Sequence, residues 1–491
     1  MLSSQDINTD PFFQSSTTTG SIGTVTINGQ VYNQLSLRPE IPFGKLGIGL
    51  DLYLYFNDDG MYWKSWNFSG LGAAYRTIVD KIYYLRWGQP GDDLYFMAGA
   101  LPTVTLGQGI LVYNYANIME YPQVRQIGLN LQAKLAEIDI EFIYSNFKSA
   151  TPGVLGLRGS YSILPKLNFG VSFVTDMNQL DGLPDSDGDK IPDYYDYYIE
   201  DSDRYDDYHF NQEFYDDLYV LYTQEINSTI TLEEFLSELT VSKSNYVKGK
   251  AESDGVSGMA IDGTFSLTNN ITLYSQLGIL LGEINDTINY TGEERKLGWG
   301  FVPIGARAKL GSVKLMGEFR ISSERFVFNY WDRSYDINRV SVINSNIVTR
   351  ESKLYQYGKL KGIYAQAEMS VMNIVNLGIG YQNMQGEKWD ESSEEYKSGG
   401  NNQTFLATIG INPTLIPKVG KAEAFYQQSN VPNPFKFAPS ASTILGYNLG
   451  IEVSSRVMLL YQVRTTYISD LDKSGELLPV KSIQIETRFV F

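Results

Sequence analysis

The run at 480–491, Val-Lys-Ser-Ile-Gln-Ile-Glu-Thr-Arg-Phe-Val-Phe, alternates from one residue to the next. Ile483, Ile485, Phe489 and Phe491 fall on one face of a strand; Ser482, Gln484, Glu486 and Arg488 fall on the other. Successive strand side chains point to opposite faces, so the segment has one oily and one wet, charged side. A soluble sheet can do this once; this chain does it along most of its length. At 45–56, Leu46, Ile48, Leu50, Leu52, Leu54 and Phe56 oppose Gly47, Gly49, Asp51, Tyr53 and Tyr55. At 138–145, Ile138, Ile140, Phe142 and Tyr144 oppose Asp139 and Glu141. Comparable runs recur from 257 to the C-terminus. Many exceed the ~9–11 residues that a tilted strand needs to cross a bilayer.

The spacing of these runs predicts a transmembrane antiparallel β-barrel of about 18 strands, within a range of 16–20. Short connections at Pro165-Lys166, Asn269-Asn270, Gly311-Ser312, Met372-Asn373, 413–417 and Ser454-Ser455 alternate with long ones near 57–79, 102–124, 177–256, 328–354, 387–401, 430–441 and 469–478. Short turns at one end and long loops at the other are a barrel's pattern. The expected organisation is an N-terminal segment at 1–20, a first barrel part at 21–176, an acidic extracellular insertion at 177–256 forming a cap, and a second barrel part at 257–491.

Putting the apolar set towards lipid leaves charges inside, because a charge on the lipid face costs ~2–4 kcal/mol at mid-membrane. The expected lumen carries Asp139, Glu141, Arg158, Glu318, Arg320, Glu452, Arg456, Arg464, Glu486 and Arg488. Ion pairs are expected across adjacent strands, such as Glu452 with Arg456 or Arg488. The stretch at 103–124 is too apolar for a plain solvated loop. It is expected to fold into the barrel mouth, with Asn114, Asn117, Glu120 and Arg125 as constriction residues; a further strand with a surface loop is the alternative.

Composition narrows the function. The chain of 491 residues has no cysteine and one histidine, His209, which leaves little for thiolate metal sites or triads. Between 176 and 258 stand 21 Asp and Glu against 5 Lys and Arg. That balance excludes nucleic acid as a partner and favours cations at an entrance. Within this segment Thr231-Leu-Glu-Glu234 predicts a capped helix over 232–239. The first residues lack a signal-peptide pattern, so the expected reading is a mature form whose leader was removed.

Two local patterns carry resemblances. Asp185-Ser-Asp187-Gly-Asp189-Lys-Ile191-Pro-Asp193-Tyr-Tyr-Asp196 places carboxylates at spacings that suit Ca²⁺, which prefers 6–8 oxygen ligands. It resembles the calcium-binding repeats of thrombospondin type 3. That resemblance implies Asp185, Asp187, Asp189 and Asp196 as direct ligands, the carbonyl of Ile191 as another, and Asp193 in support of a structural calcium ion; Lys190 departs from the repeat's glycine. The ending Ile483, Ile485, Phe489, Phe491 resembles the terminal strand of Gram-negative-type outer-membrane barrels, porins among them. It implies Phe489 and Phe491 as the signal read by the barrel-assembly machinery, and a location in the bacterial outer membrane. From this follow three readings: a porin-like channel for passive diffusion of small solutes or ions, a structural or surface-interaction barrel touching neighbouring proteins, glycans or a surface layer, and a surface enzyme built on His209. No enzyme is expected; lipid and small solutes are the expected partners, with a homo-oligomer by analogy to porins.

Overall fold

The computed structural model describes residues 19–27, 30–58, 60–63, 66–119, 126–148, 153–183, 189, 191–244, 255–284, 296–343, 346–372, 374–411, 416–454, 456–469 and 476–490. They form two compact units, one of 1–177 with 255–491 and one of 178–254.

The first unit is a closed antiparallel barrel. Its sheet has 23 strands, and strand Thr19–Ile27 pairs with both Gln30–Arg38 and Leu477–Val490, which closes the ring. Gln30–Arg38 and Glu40–Phe43 are one stave broken at Pro39, a residue with no N–H to give a ladder. Leu46–Leu50 and Leu52–Asn57 are one stave broken at Asp51, and Gly60–Met61 is a two-residue return. Among the described residues, twenty staves therefore circle the barrel, the upper end of the expected range. The other staves, in chain order, are Ile82–Trp87, Leu94–Gly99, Gly128–Leu135, Ile138–Tyr144, Val154–Leu164, Leu167–Asp176, Val256–Thr268, Ile271–Leu281, Trp299–Leu310, Val313–Ser322, Tyr357–Val371, Val375–Asp390, Glu395–Ile411, Val419–Val431, Ile444–Ser454 and Val457–Ser469.

Connections sort as expected, with short turns at one end and longer loops at the other. Two differ: the first two staves are joined through 28–29 alone at the loop end, and the connection expected near 387–401 is a projecting hairpin. Strands Val375–Asp390 and Glu395–Ile411 stay paired up to the Asp390–Glu395 pair, with one register shift between Gly386 and Glu387.

Burial is inverted relative to a water-soluble sheet. Val171, Ile261, Ile279, Ile363 and Ile379 are exposed, while Asp51, Arg158, Asp262, Glu318, Arg320 and Glu486 are buried. The strand period of two makes this an all-or-none choice of face. Aromatic side chains inside lie over glycines of the next stave. A Cβ on Gly305 would meet the Tyr274 ring at 2.3 Å, and one on Gly49 would meet the Tyr84 ring at 2.5 Å.

The second unit is helical. Helices Asp207–Phe210, Gln212–Glu225 and Leu232–Glu238 surround Tyr208, Ile230, Phe235 and Leu236. The expected capping box is present: Glu234 N–H donates to Thr231 Oγ1 at 3.2 Å and Thr231 N–H donates to Glu234 Oε2 at 3.0 Å. The longer helix Gln212–Glu225 had no sequence expectation. Its exposed Phe214, Val220 and Leu221 blur the helical period that would have revealed it.

Candidate functional site

The lumen is the site. Its floor is a set of wall charges held in fixed pairs. Arg158 lies between two carboxylates, with Nη1 at 2.6 Å from Glu141, Nε at 3.0 Å from Asp262 Oδ2 and Nη2 at 2.8 Å from Asp262 Oδ1. Arg320 Nε donates to Glu318 at 2.7 Å and its Nη1 donates to Gln382, which in turn donates to Asn402 at 3.0 Å. Glu318 Oε1 accepts from the Tyr274 hydroxyl at 2.7 Å and from Gln276 Nε2 at 3.1 Å. Directed, multiply hydrogen-bonded pairing of this kind is what an arginine fork offers a carboxylate.

The segment 101–119 folds over these groups. Gly107 N–H donates to Glu141 at 3.4 Å and Ile110 N–H to Gln276 at 3.0 Å. Arg307 donates to Gln108, Tyr113 donates to Gln366, and Arg464 donates to the carbonyls of Ile118 at 2.7 Å and Met119 at 3.2 Å. Those wall partners sit on the seventh, eleventh, twelfth, fourteenth and nineteenth of the twenty staves. A loop tied to more than half of the circumference must cross the lumen. Gly107, at φ +59°, needs both its left-handed backbone and its missing Cβ, which would lie 2.7 Å from Arg158 Nε.

A second loop, 323–356, interlocks with the first. Trp331 N–H donates to Leu111 O at 3.0 Å, Tyr113 N–H to Trp331 O at 3.1 Å, and Asn329 N–H to Ile110 O at 2.9 Å. Leu106, Ile110, Leu111, Val112, Phe326, Phe328, Tyr330, Trp331 and Tyr335 are buried in the shared core. Its helix Tyr335–Asn338 packs on the Val457–Ser469 stave, while Tyr335 donates to Asp176 at 2.8 Å and Arg339 pairs with Asp176 at 3.1 Å. Tyr115 donates to both oxygens of Asp336 at 3.0 and 2.9 Å. Burial pushes the Asp336 carboxyl up to about 6, against the pull of Arg339 and Tyr115. The sequence predicts 328–354 only as a long connection. The apolar run Phe326-Val-Phe-Asn-Tyr-Trp331, as oily as 101–119, was the available signal.

Asn114 is half-buried at φ +53°, its N–H donating to Thr105 Oγ1 at 3.0 Å and its Oδ1 accepting from Thr103 at 3.3 Å. Asn117 is buried and ties the loop to the wall, accepting from Leu101 N–H at 2.7 Å and donating to Ser145 O at 2.8 Å. Glu120, Arg125 and Phe491 lie outside the described residues. Asp139, Glu141 and Arg464 are half-buried. Arg488 is held by Glu486 at 2.6 Å, two residues along its own strand, while Glu452 and Arg456 are exposed. Glu486 also accepts from Ser21 at 2.8 Å across the closing seam. Phe489 is half-buried and pairs with Gly20 and Val457.

Of the calcium residues, Asp185 and Asp187 lie outside the described residues. Asp189 Oδ1 accepts from Ile191 N–H at 2.7 Å, Asp196 Oδ1 accepts from Tyr198 N–H at 2.7 Å, and Asp193 O accepts from Asp196 N–H at 3.3 Å. Among the described residues no three carboxylate or imidazole groups converge. His209 sits on the helix cap Asp206, Nδ1 to Oδ2 at 2.6 Å.

No family model matches the chain, and no curated protein matches it. Several solved structures are similar at low identity. OccK8 (OprE) of Pseudomonas aeruginosa has 10% identity and a TM-score of 0.33, with 97% of this chain and 96% of that one covered. Wzi of Escherichia coli, described as an outer membrane protein involved in group 1 capsule assembly and a carbohydrate-binding β-barrel, has 11% identity and a TM-score of 0.32, with 96% and 84% covered. A mutant of Rh. blastica porin has 9% identity and a TM-score of 0.26, with 97% and 99% covered. At such scores these likenesses carry no argument about activity, and the barrel stands on its own strand pairing.

Proposed function

We propose that the protein is an outer-membrane β-barrel that passes small solutes or ions through a narrow path along its charged inner wall, beneath the loops 101–119 and 323–356. One observation carries this reading: the polar groups face inward under a loop that crosses from the Glu141 stave to the Arg464 stave, while the outward face is apolar. Such an exterior is stable in hydrocarbon, and a closed ring leaves no strand edge unsatisfied there. Fixed Arg–carboxylate pairs of both signs suit passage of small polar molecules better than strong selection of one charge. Planar-bilayer recording tests it. A small, steady conductance is expected, rising several-fold when 104–115 is replaced by a short glycine-serine link. A barrel that stays electrically silent in both forms would overturn the channel.

A second reading is favoured by the separate unit 178–254, which carries 20 Asp and Glu against 5 Lys and Arg. In that reading the unit is a surface module that contacts neighbours or glycans, ordered by calcium at 185–196. Protease protection of the unit should rise on adding calcium and fall with chelator. Identical digestion patterns in both conditions would remove the ion.

A further inference from the structure

Four consecutive staves are too short for the wall they belong to. Ile82–Trp87 and Leu94–Gly99 have 6 residues each, Gly128–Leu135 has 8 and Ile138–Tyr144 has 7. A tilted strand needs ~9–11 residues to cross hydrocarbon, and the opposite staves Val375–Asp390 and Glu395–Ile411 have 16 and 17. At the loop end of the first short stave stands helix Leu71–Asp80, joined to Ile82 through Lys81 alone. The edge of Leu52–Asn57 that this stave leaves open is covered by the return Gly60–Met61 and by Tyr62, whose N–H donates to Tyr55 O at 2.9 Å, and the helix follows that return. Beyond the Leu50–Ile82 pair, Asp51 N–H donates to Lys81 O at 2.8 Å, and Trp66 Nε1 donates to Tyr53 O at 2.7 Å.

The helix has two unlike faces. One face is held: Thr77 is buried and donates to Asn67 O of the preceding loop at 2.7 Å, and Asp80 accepts from Lys148 at 2.8 Å, from Lys81 at 3.1 Å and from Tyr53 on the barrel wall. Leu71, Tyr75 and Ile78, at helical spacing on the opposite face, are exposed, Leu71 by 94%. Exposed Trp63 and Phe68 precede them, and exposed Phe56 on the adjacent strand continues the oily outer wall. Large apolar side chains gathered on one exposed helix face call for a cover.

We infer that helix Leu71–Asp80 lies in the membrane interface, with Leu71, Tyr75 and Ile78 among the lipid acyl chains, and completes the apolar band that the four short staves leave low. The cover is lipid because the patch is continuous with the lipid-facing wall, and the opposite helix face is tethered to the barrel. An amphipathic helix whose apolar face sinks into the headgroup and acyl boundary is a stable arrangement, and a Tyr and a Trp are suited to that depth. This inference rests on the outer-membrane reading above.

The absence of cysteine makes site-specific labelling clean. Leu71→Cys, Ile78→Cys, Ile363→Cys on the outer wall and Ser392→Cys at an exposed turn would each carry an environment-sensitive fluorophore in vesicles. Quenching by lipids brominated along the acyl chain, and by aqueous iodide, is then compared. The expected result is strong lipid quenching at 71, 78 and 363, with iodide quenching confined to 392. Lipid quenching at 363 but iodide quenching at 71 and 78 would overturn the helix placement while leaving the barrel in the membrane. Shielding of 71 and 78 from both quenchers would mean that a second copy or another protein covers the helix, and would also overturn it. Loss of lipid quenching at 363 would overturn the membrane reading itself.

Discussion

At the residue scale, the interior is organised by charges that are buried without being isolated. Arg320 is 1% exposed, yet its guanidinium reaches Glu318, Gln382 and Asn329. Removing one partner of a buried pair leaves a bare charge, so Arg320→Met should cost about 3–5 kcal/mol, whereas the double variant with Glu318→Gln should recover much of that loss. Thermal unfolding in detergent reads both; equal losses in single and double variants would show that the pair is not the source. Asp336 makes a second prediction. Its carboxyl is raised by burial to about 6, above its ordinary 3.8, so the interlocked loops hold the proton more tightly than separated loops would. Interlocking therefore strengthens as pH falls through 6 and levels off below about 4, a gain of about 1 kcal/mol between pH 7 and 5. Conductance should fall over that interval in the native chain, and the pH response should vanish in Asp336→Asn.

At the element scale, the loops behave as a core placed inside a tube. Trp331 has no exposed surface and sits between the two loops and the wall, with the ring of Tyr335 6.2 Å away. Trp331→Ala should cost about 3–5 kcal/mol of loop packing. The staves are held by their own ladders and should not unfold with it. Hydrogen exchange is expected to accelerate in 104–115 and 326–336 while the strand amides stay protected; equal acceleration everywhere would mean that loops and wall are one cooperative unit. Strand faces and the Thr231 capping box were readable beforehand because each depends on neighbours a few residues apart. The partner of 101–119 was not, because 323–356 lies more than two hundred residues away in the chain.

At the scale of the whole molecule, the acidic unit is an insertion between paired residues. Asp176 and Val256 are directly opposite on adjacent staves, so the ends of 178–254 leave and re-enter the barrel at neighbouring positions. A two-residue turn joining Met177 to Gly255 should leave the barrel folded, with its heat-dependent gel migration unchanged. Collapse of that variant would show that the helical unit is needed for barrel assembly.

Alternation along the chain, by itself, determined that this protein is a barrel with an oily outside and a charged inside. A period of two assigns every side chain to a face, and a slip of one residue reverses all of them. The side of the connections followed as well, since successive links in an antiparallel ring fall at opposite ends. Tertiary structure alone decided that the lumen is crossed by two interlocked loops, that Asn117 is a tether rather than a free pore group, and that four staves stop short beside an amphipathic helix. Each of those depends on which groups meet across the ring, and spacing along a chain holds no record of distance through the middle of a closed wall.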